Sequence, residues 1–144
     1  MVVKDLTVNK YVGIKQSKTP NYITQHIYRA KFLLEEPSVE FLAENIYNTV
    51  RFLDFDVIVP TNTTHSKVNF PERLCEYLSK FTEKPHIKSG LKNRNTEASP
   101  RLKGKKVLIV DDVVYSGRTM RKTIKAVKSI GPWAIYFIAV AKSK

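Results

Sequence analysis

The chain has 144 residues, 42% of them apolar and 26% charged, and 25 Lys and Arg against 13 Asp and Glu give it a formal net charge of +12. This is the composition of one globular domain, residues 1–144, large enough for a sizeable core. No apolar run approaches the roughly 18 residues of a membrane span, and the first ten residues hold no signal-peptide core. The single cysteine, Cys75, excludes an intrachain disulfide and a cysteine-rich zinc site, so a soluble, cytoplasmic protein is expected.

Residues 1–32 mix polar residues with β-formers, and 8–14 and 23–32 read as strands that would pair in a hairpin. Pro37 and Ser38 then open a helix, Pro in the first turn and Ser as its cap. Val39, Leu42, Ala43, Ile46, Tyr47, Val50 and Leu53 form one apolar stripe on it. Residues 55–60 (FDVIVP) read as a buried strand, followed by the polar loop Thr61, Asn62, Thr63 and Thr64. His65 has no second ligand type at metal spacing and reads as a surface residue. Pro71 starts a further helix whose buried side carries Leu74, Cys75, Leu78 and Phe81, with Cys75 a small core hydrophobe. A short strand or edge is expected at 84–87.

Residues 90–104 (GLKNRNTEASPRLKG) show no apolar periodicity and read as a long loop of the kind that serves as a lid or binding loop. Residues 107–110 (VLIV) form an uninterrupted apolar run, as in a strand covered on both faces. Asp111 and Asp112 stand at its carboxyl end, then a turn through Tyr115, Ser116, Gly117, Arg118 and Thr119, then a helix packed through Met120, Ile124, Val127 and Ile130. Gly131 and Pro132 stop that helix, and 134–141 (AIYFIAVA) is a last buried strand. The order of strands and helices predicts a parallel α/β sheet with right-handed crossovers.

Ligands of open parallel sheets bind beyond the carboxyl ends of the strands. A Gly- and hydroxyl-bearing loop that opens a helix offers backbone N–H groups and the positive end of the dipole to a phosphate. Phosphate is therefore expected on Ser116, Gly117, Arg118 and Thr119, with a polyol or a metal at Asp111 and Asp112. The apolar strand, acidic pair and hydroxyl-Gly-x-Thr loop resemble the phosphoribosyl diphosphate (PRPP) motif of type I phosphoribosyltransferases. The wording DDVVYSGRT is nearest to the pyrimidine-operon attenuator proteins that double as uracil phosphoribosyltransferases, and the layout is similar to the ComF-like branch. An ordinary strand–turn–helix with two exposed aspartates is the alternative reading.

The resemblance implies an open parallel-sheet fold with helices on both faces and a small N-terminal β hood, residues 1–32. Tyr11, Tyr22, His26 or Tyr28 would stack there on a nitrogenous base, or simply pack against one another. It implies transfer of ribose 5-phosphate from PRPP, with Mg²⁺ as cofactor. Asp111 and Asp112 would serve the ribose hydroxyls, the metal and catalysis. Tyr115 through Thr119 would hold the 5-phosphate, Thr61, Asn62 and Thr63 the pyrophosphate, and Lys92, Arg94 and Arg101 of the flexible loop the departing charge. Tyr115 stands where 6-oxopurine enzymes carry an Asp, which makes hypoxanthine and guanine poor acceptors. A homodimer is expected.

Charge adds a second possibility. Eight Lys and Arg (84, 88, 92, 94, 101, 103, 105, 106) lie between Lys84 and Lys106 against one acid, Glu97, and Arg118, Arg121, Lys122, Lys125 and Lys128 follow on the helix. Such an excess attracts polyanions, either a polyphosphate substrate or a nucleic acid, unless it is only a solvated face. A non-catalytic PRPP sensor that binds nucleic acid is thus the alternative to an enzyme.

Overall fold

A computed structural model describes residues 2–9, 22–61, 69–87 and 99–143. Four parallel strands, β1 (Val2–Asp5), β2 (Val57–Pro60), β3 (Lys106–Val114) and β4 (Ala134–Lys142), form one sheet in the order β1-β4-β3-β2. Along β3, Leu108 and Val110 face one layer while Val107 and Ile109 face the other, the alternation a strand imposes. On the first face pack α1 (Tyr22–Phe32), α2 (Glu36–Val50) and α3 (Phe70–Thr82); on the second pack α4 (Ser99–Leu102) and α5 (Arg118–Lys128). Both faces of β3 and β4 are covered, which is why their sequences run apolar without alternation.

The register is held at long range. Val57 pairs with Val107 and Pro60 with Val110, and Lys106 pairs with Ala134. Beyond β1, the Thr7 hydroxyl accepts the Ala139 N–H at 2.9 Å and the Asn9 side chain bonds Asn45 at 2.7 Å, tying the N-terminal segment to β4 and α2.

Four expectations are corrected. Residues 23–32 are not a strand: Ile23, Ile27 and Ala30, at helical spacing, lay α1 on the sheet, so the hairpin does not form, and residues 10–14 of its other arm lie outside the described residues. The N-terminal strand is β1, an edge strand of the core sheet rather than part of a hood. Ser38 does not cap α2; the helix starts one turn earlier with Glu35 at the cap position, and the Ser38 hydroxyl lies 3.1 Å from His26 Nδ1. The last part of the 90–104 loop is structured, because Leu102 on α4 is fully buried against the second face.

The helix predicted from Pro71 is present as α3, capped by Asn69, whose side chain accepts the Glu72 N–H at 3.0 Å. Cys75 is buried in the core beneath it. Of the edge expected at 84–87, only His86 bridges, to Ile58.

Candidate functional site

Asp111 and Asp112 lie near the carboxyl end of β3, which runs on to Val114. Consecutive strand residues point to opposite faces, and the two acids have different partners. Thr61, at the carboxyl end of β2, donates its hydroxyl to Asp111 Oδ1 at 2.7 Å. Lys31, in the last turn of α1, brings its ammonium to 3.6 Å from Asp112 Oδ2. Each carboxylate also accepts a backbone N–H from the next residue, Asp112 to Asp111 at 2.8 Å and Val113 to Asp112 at 2.7 Å.

Both acids are buried, at 3% and 6% exposure. Burial, followed by the neighbouring Asp112 charge, pushes the Asp111 carboxyl up to about 7; the Thr61 hydroxyl and the Asp112 N–H oppose this. A pair of acids in this condition gains by taking hydroxyl groups or a cation as partners. Among the described residues no group of three or more His, Cys, Asp or Glu gathers to hold a metal. Two carboxylates alone suit Mg²⁺, which keeps its waters and binds mainly through substrate phosphates, and do not suit a closed protein cage.

β3 leads through Tyr115 and Ser116 into α5. Gly117 occupies the cap position with φ +82°, a conformation that favours glycine. A Cβ built there would come within 3.0 Å of the Arg121 guanidinium. Ser116 Oγ accepts the Arg118 N–H at 3.3 Å, and Arg121 donates to the Ser116 carbonyl at 3.3 Å, so the loop folds tightly over the start of α5. The first turn of any helix leaves its N–H groups without intrahelical acceptors, and here Arg118 and Thr119 supply that turn, both exposed. Tyr115 is 60% exposed.

Thus Thr61, Asp111, Asp112 and the loop from Tyr115 to Thr119 gather at one edge of the sheet. Asn62, Thr63, Lys92 and Arg94 lie outside the described residues, as does Tyr11. Arg101 is not brought to the acids: its guanidinium bonds the His86 carbonyl at 3.4 Å, at the level of Ile58, while Asp111 lies three residues further along the sheet from the paired Leu108. His26 stacks on the Phe41 ring at 4.0 Å and Tyr22 meets both edge-on, so these two pack between α1 and α2. Tyr28 is partly exposed beside Phe32. Lys31 is the site residue that sequence reasoning missed; its signal was the spacing of Ile23, Ile27 and Ala30, which makes 22–32 a helix.

An acidic pair beside a glycine-opened helix, at the carboxyl edge of a parallel sheet, is an arrangement of an α/β domain that suits a phosphorylated polyol. The family model of the phosphoribosyl transferase domain matches residues 60–144, and the chain belongs to that family. It is 28% identical over 115 residues to an amidophosphoribosyltransferase of Saccharomyces cerevisiae, covering 69% of this chain but 22% of that protein, so the chain spans about a fifth of the length of this curated relative. In fold it is similar to an orotate phosphoribosyltransferase of Mycobacterium tuberculosis (TM-score 0.53, 12% identity, 94% of this chain and 88% of that one). It is likewise similar to a purine phosphoribosyltransferase of Pyrococcus horikoshii (TM-score 0.51, 22% identity, 75% of each chain). The fold is that of the type I phosphoribosyltransferases.

Proposed function

We propose that the protein transfers ribose 5-phosphate from PRPP to a nitrogenous base and releases pyrophosphate. The observation that carries this reading is the buried Asp111–Asp112 pair set beside the Gly117 loop at the start of α5. Family membership supports it. Asp111 and Asp112 accept hydrogen bonds from the ribose hydroxyls. The N–H groups of the first turn of α5, with Ser116 and Thr119, take the 5-phosphate, and Arg118 adds positive charge.

Catalysis in this arrangement rests on holding the ribose still and on stabilising the charge that develops as pyrophosphate departs. Asp111 or Asp112 would hold Mg²⁺, which would supply positive charge against the departing pyrophosphate. Thr61 fixes the Asp111 carboxylate through its hydroxyl, and Lys31 fixes Asp112. Tyr115 offers no carboxylate to the base, so acceptors other than hypoxanthine and guanine are favoured.

The test is pyrophosphate release from Mg-PRPP with a panel of purine and pyrimidine bases, together with calorimetry of PRPP on Asp111→Asn/Asp112→Asn. Loss of charge-assisted bonds worth about 1.5–3 kcal/mol each predicts at least a tenfold weaker affinity. Unchanged affinity sinks the site; PRPP binding without turnover on any base leaves a sensor in place of an enzyme.

A further inference from the structure

The two layers of helices differ sharply in charge. On one face of the sheet α1, α2 and α3 together carry five glutamates (Glu36, Glu40, Glu44, Glu72, Glu76) against four cations (Arg29, Lys31, Arg73 and Lys80). On the other, α4 and α5 carry six cations and no acid. After Asp112 the chain contains no Asp or Glu at all.

On α5, Arg121, Lys122, Lys125 and Lys128 are exposed while Thr123 and Val127 are buried. At 100° per residue the four cations fall within an arc of about 120°, opposite the packed side, and run for roughly 10 Å along the axis. Among the described residues no salt bridge neutralises any of them. The stripe continues past the helix: the Gly104 N–H donates to the Gly131 carbonyl at 2.9 Å, which sets the turn bearing exposed Lys103 and Lys105 against the end of α5.

We propose that this face, from Arg121 to Lys128 and on to Lys103 and Lys105, docks the phosphate backbone of a nucleic acid. A row of unneutralised cations is complementary to regularly spaced phosphates, whose counterions it displaces. Lysine is depleted in protein–protein interface cores, which argues against an acidic protein. An interfacial membrane helix needs large apolar residues along its length beside its cations, and α5 exposes none; the exposed Tyr115 and Trp133 stand beyond its two ends. Lys122, Lys125 and Lys128 lie beyond the first turn of α5 and away from the 5-phosphate loop, so the surface is separable from the PRPP site.

The experiment compares two triple variants of equal charge loss. Lys122→Ala/Lys125→Ala/Lys128→Ala removes the stripe; Arg29→Ala/Arg51→Ala/Lys80→Ala removes three exposed cations from the other layer. Fluorescence anisotropy follows labelled single-stranded RNA and duplex DNA at near-physiological salt, and the salt dependence is recorded. Heparin and phosphatidylserine vesicles are run in parallel. The stripe variant should bind at least roughly tenfold more weakly and lose about 2 from its log–log salt slope on a single strand and nearly 3 on duplex DNA; the other should match the wild type. Equal losses in both variants, no loss in the stripe variant, or tighter binding of the vesicles or heparin than of nucleic acid overturns the proposal. PRPP affinity, measured on the same variants, should be unchanged and certifies the fold. The docking surface can therefore fail while the PRPP reading stands, and the reverse.

Discussion

Lys31 and Asp112 form an ion pair at 3.6 Å that fastens the last turn of α1 to the end of β3. The lysine side chain is 30% exposed and the aspartate side chain 8%, so one partner is anchored in the interior and the other reaches it from the rim. α1 otherwise rests on the core through Ile27 and Ala30. The same contact therefore closes the first helical layer over the site and holds one of the two acids in place.

Replacing Lys31 with Met keeps the aliphatic stem and removes the charge. It should cost about 1–2 kcal/mol, less than for a fully buried pair because Lys31 is partly solvated. Asp112→Asn should remove most of that penalty. A double-mutant cycle by urea unfolding should give a coupling of about 1 kcal/mol; strictly additive single effects would mean that the contact carries no energy.

Asp111 makes stability depend on pH in a stated direction. Its carboxyl is raised from 3.8 to about 7, chiefly by burial and then by Asp112. Below the lower value the acid is protonated in both folded and unfolded chains. Between the two values the unfolded chain loses a proton that the folded chain keeps, so stability falls as pH rises and levels off above about 7. Asp111→Asn cannot ionise and should lack this fall. Calorimetric Tm values from about pH 4 to 8 should show the variant gaining on the wild type as pH rises, even as it loses PRPP. A difference that stays constant with pH is the contrary result.

The central strands were legible in the sequence because VLIV and AIYFIAVA are short, rich in β-branched residues and flanked by turn residues, as strands covered on both faces are. The acidic pair and the Gly117 loop were legible because they are contiguous. α2 and α3 showed through their apolar stripes. What escaped was decided at long range. β1 is exposed at every position and exists through its pairing with β4, more than a hundred residues away, so no local pattern marks it. α1 is rich in Tyr, Ile and Thr, whose β preference masked a helical spacing that packing against α2 and the sheet enforces. The basic residues of 90–104 hid Leu102, one of two leucines in a polar stretch.

That residue offers a direct check on the end of the loop. Leu102 is fully buried with Ile87, Val107 and Val127 in the second core cluster. Leu102→Ala should cost about 2–5 kcal/mol, as for a buried leucine that leaves a cavity. A loss below about 1 kcal/mol by thermal or urea unfolding would place residue 102 in a free loop, as its neighbours in sequence suggest.

Gly117 separates a binding turn from a structural one. At φ +82° any other L-residue is strained by about 1–2 kcal/mol, and a Cβ would also press on the Arg121 guanidinium at 3.0 Å. That guanidinium is the far end of a flexible side chain and can move, so the fold should survive Gly117→Val with a modest drop in Tm. The loop cannot adapt as easily, because the phosphate needs close approach to its backbone. PRPP affinity by calorimetry should therefore fall at least tenfold, more than the stability change accounts for. A variant that unfolds outright shows that the glycine serves the chain turn alone, and one that binds PRPP as the wild type does removes the phosphate from this loop.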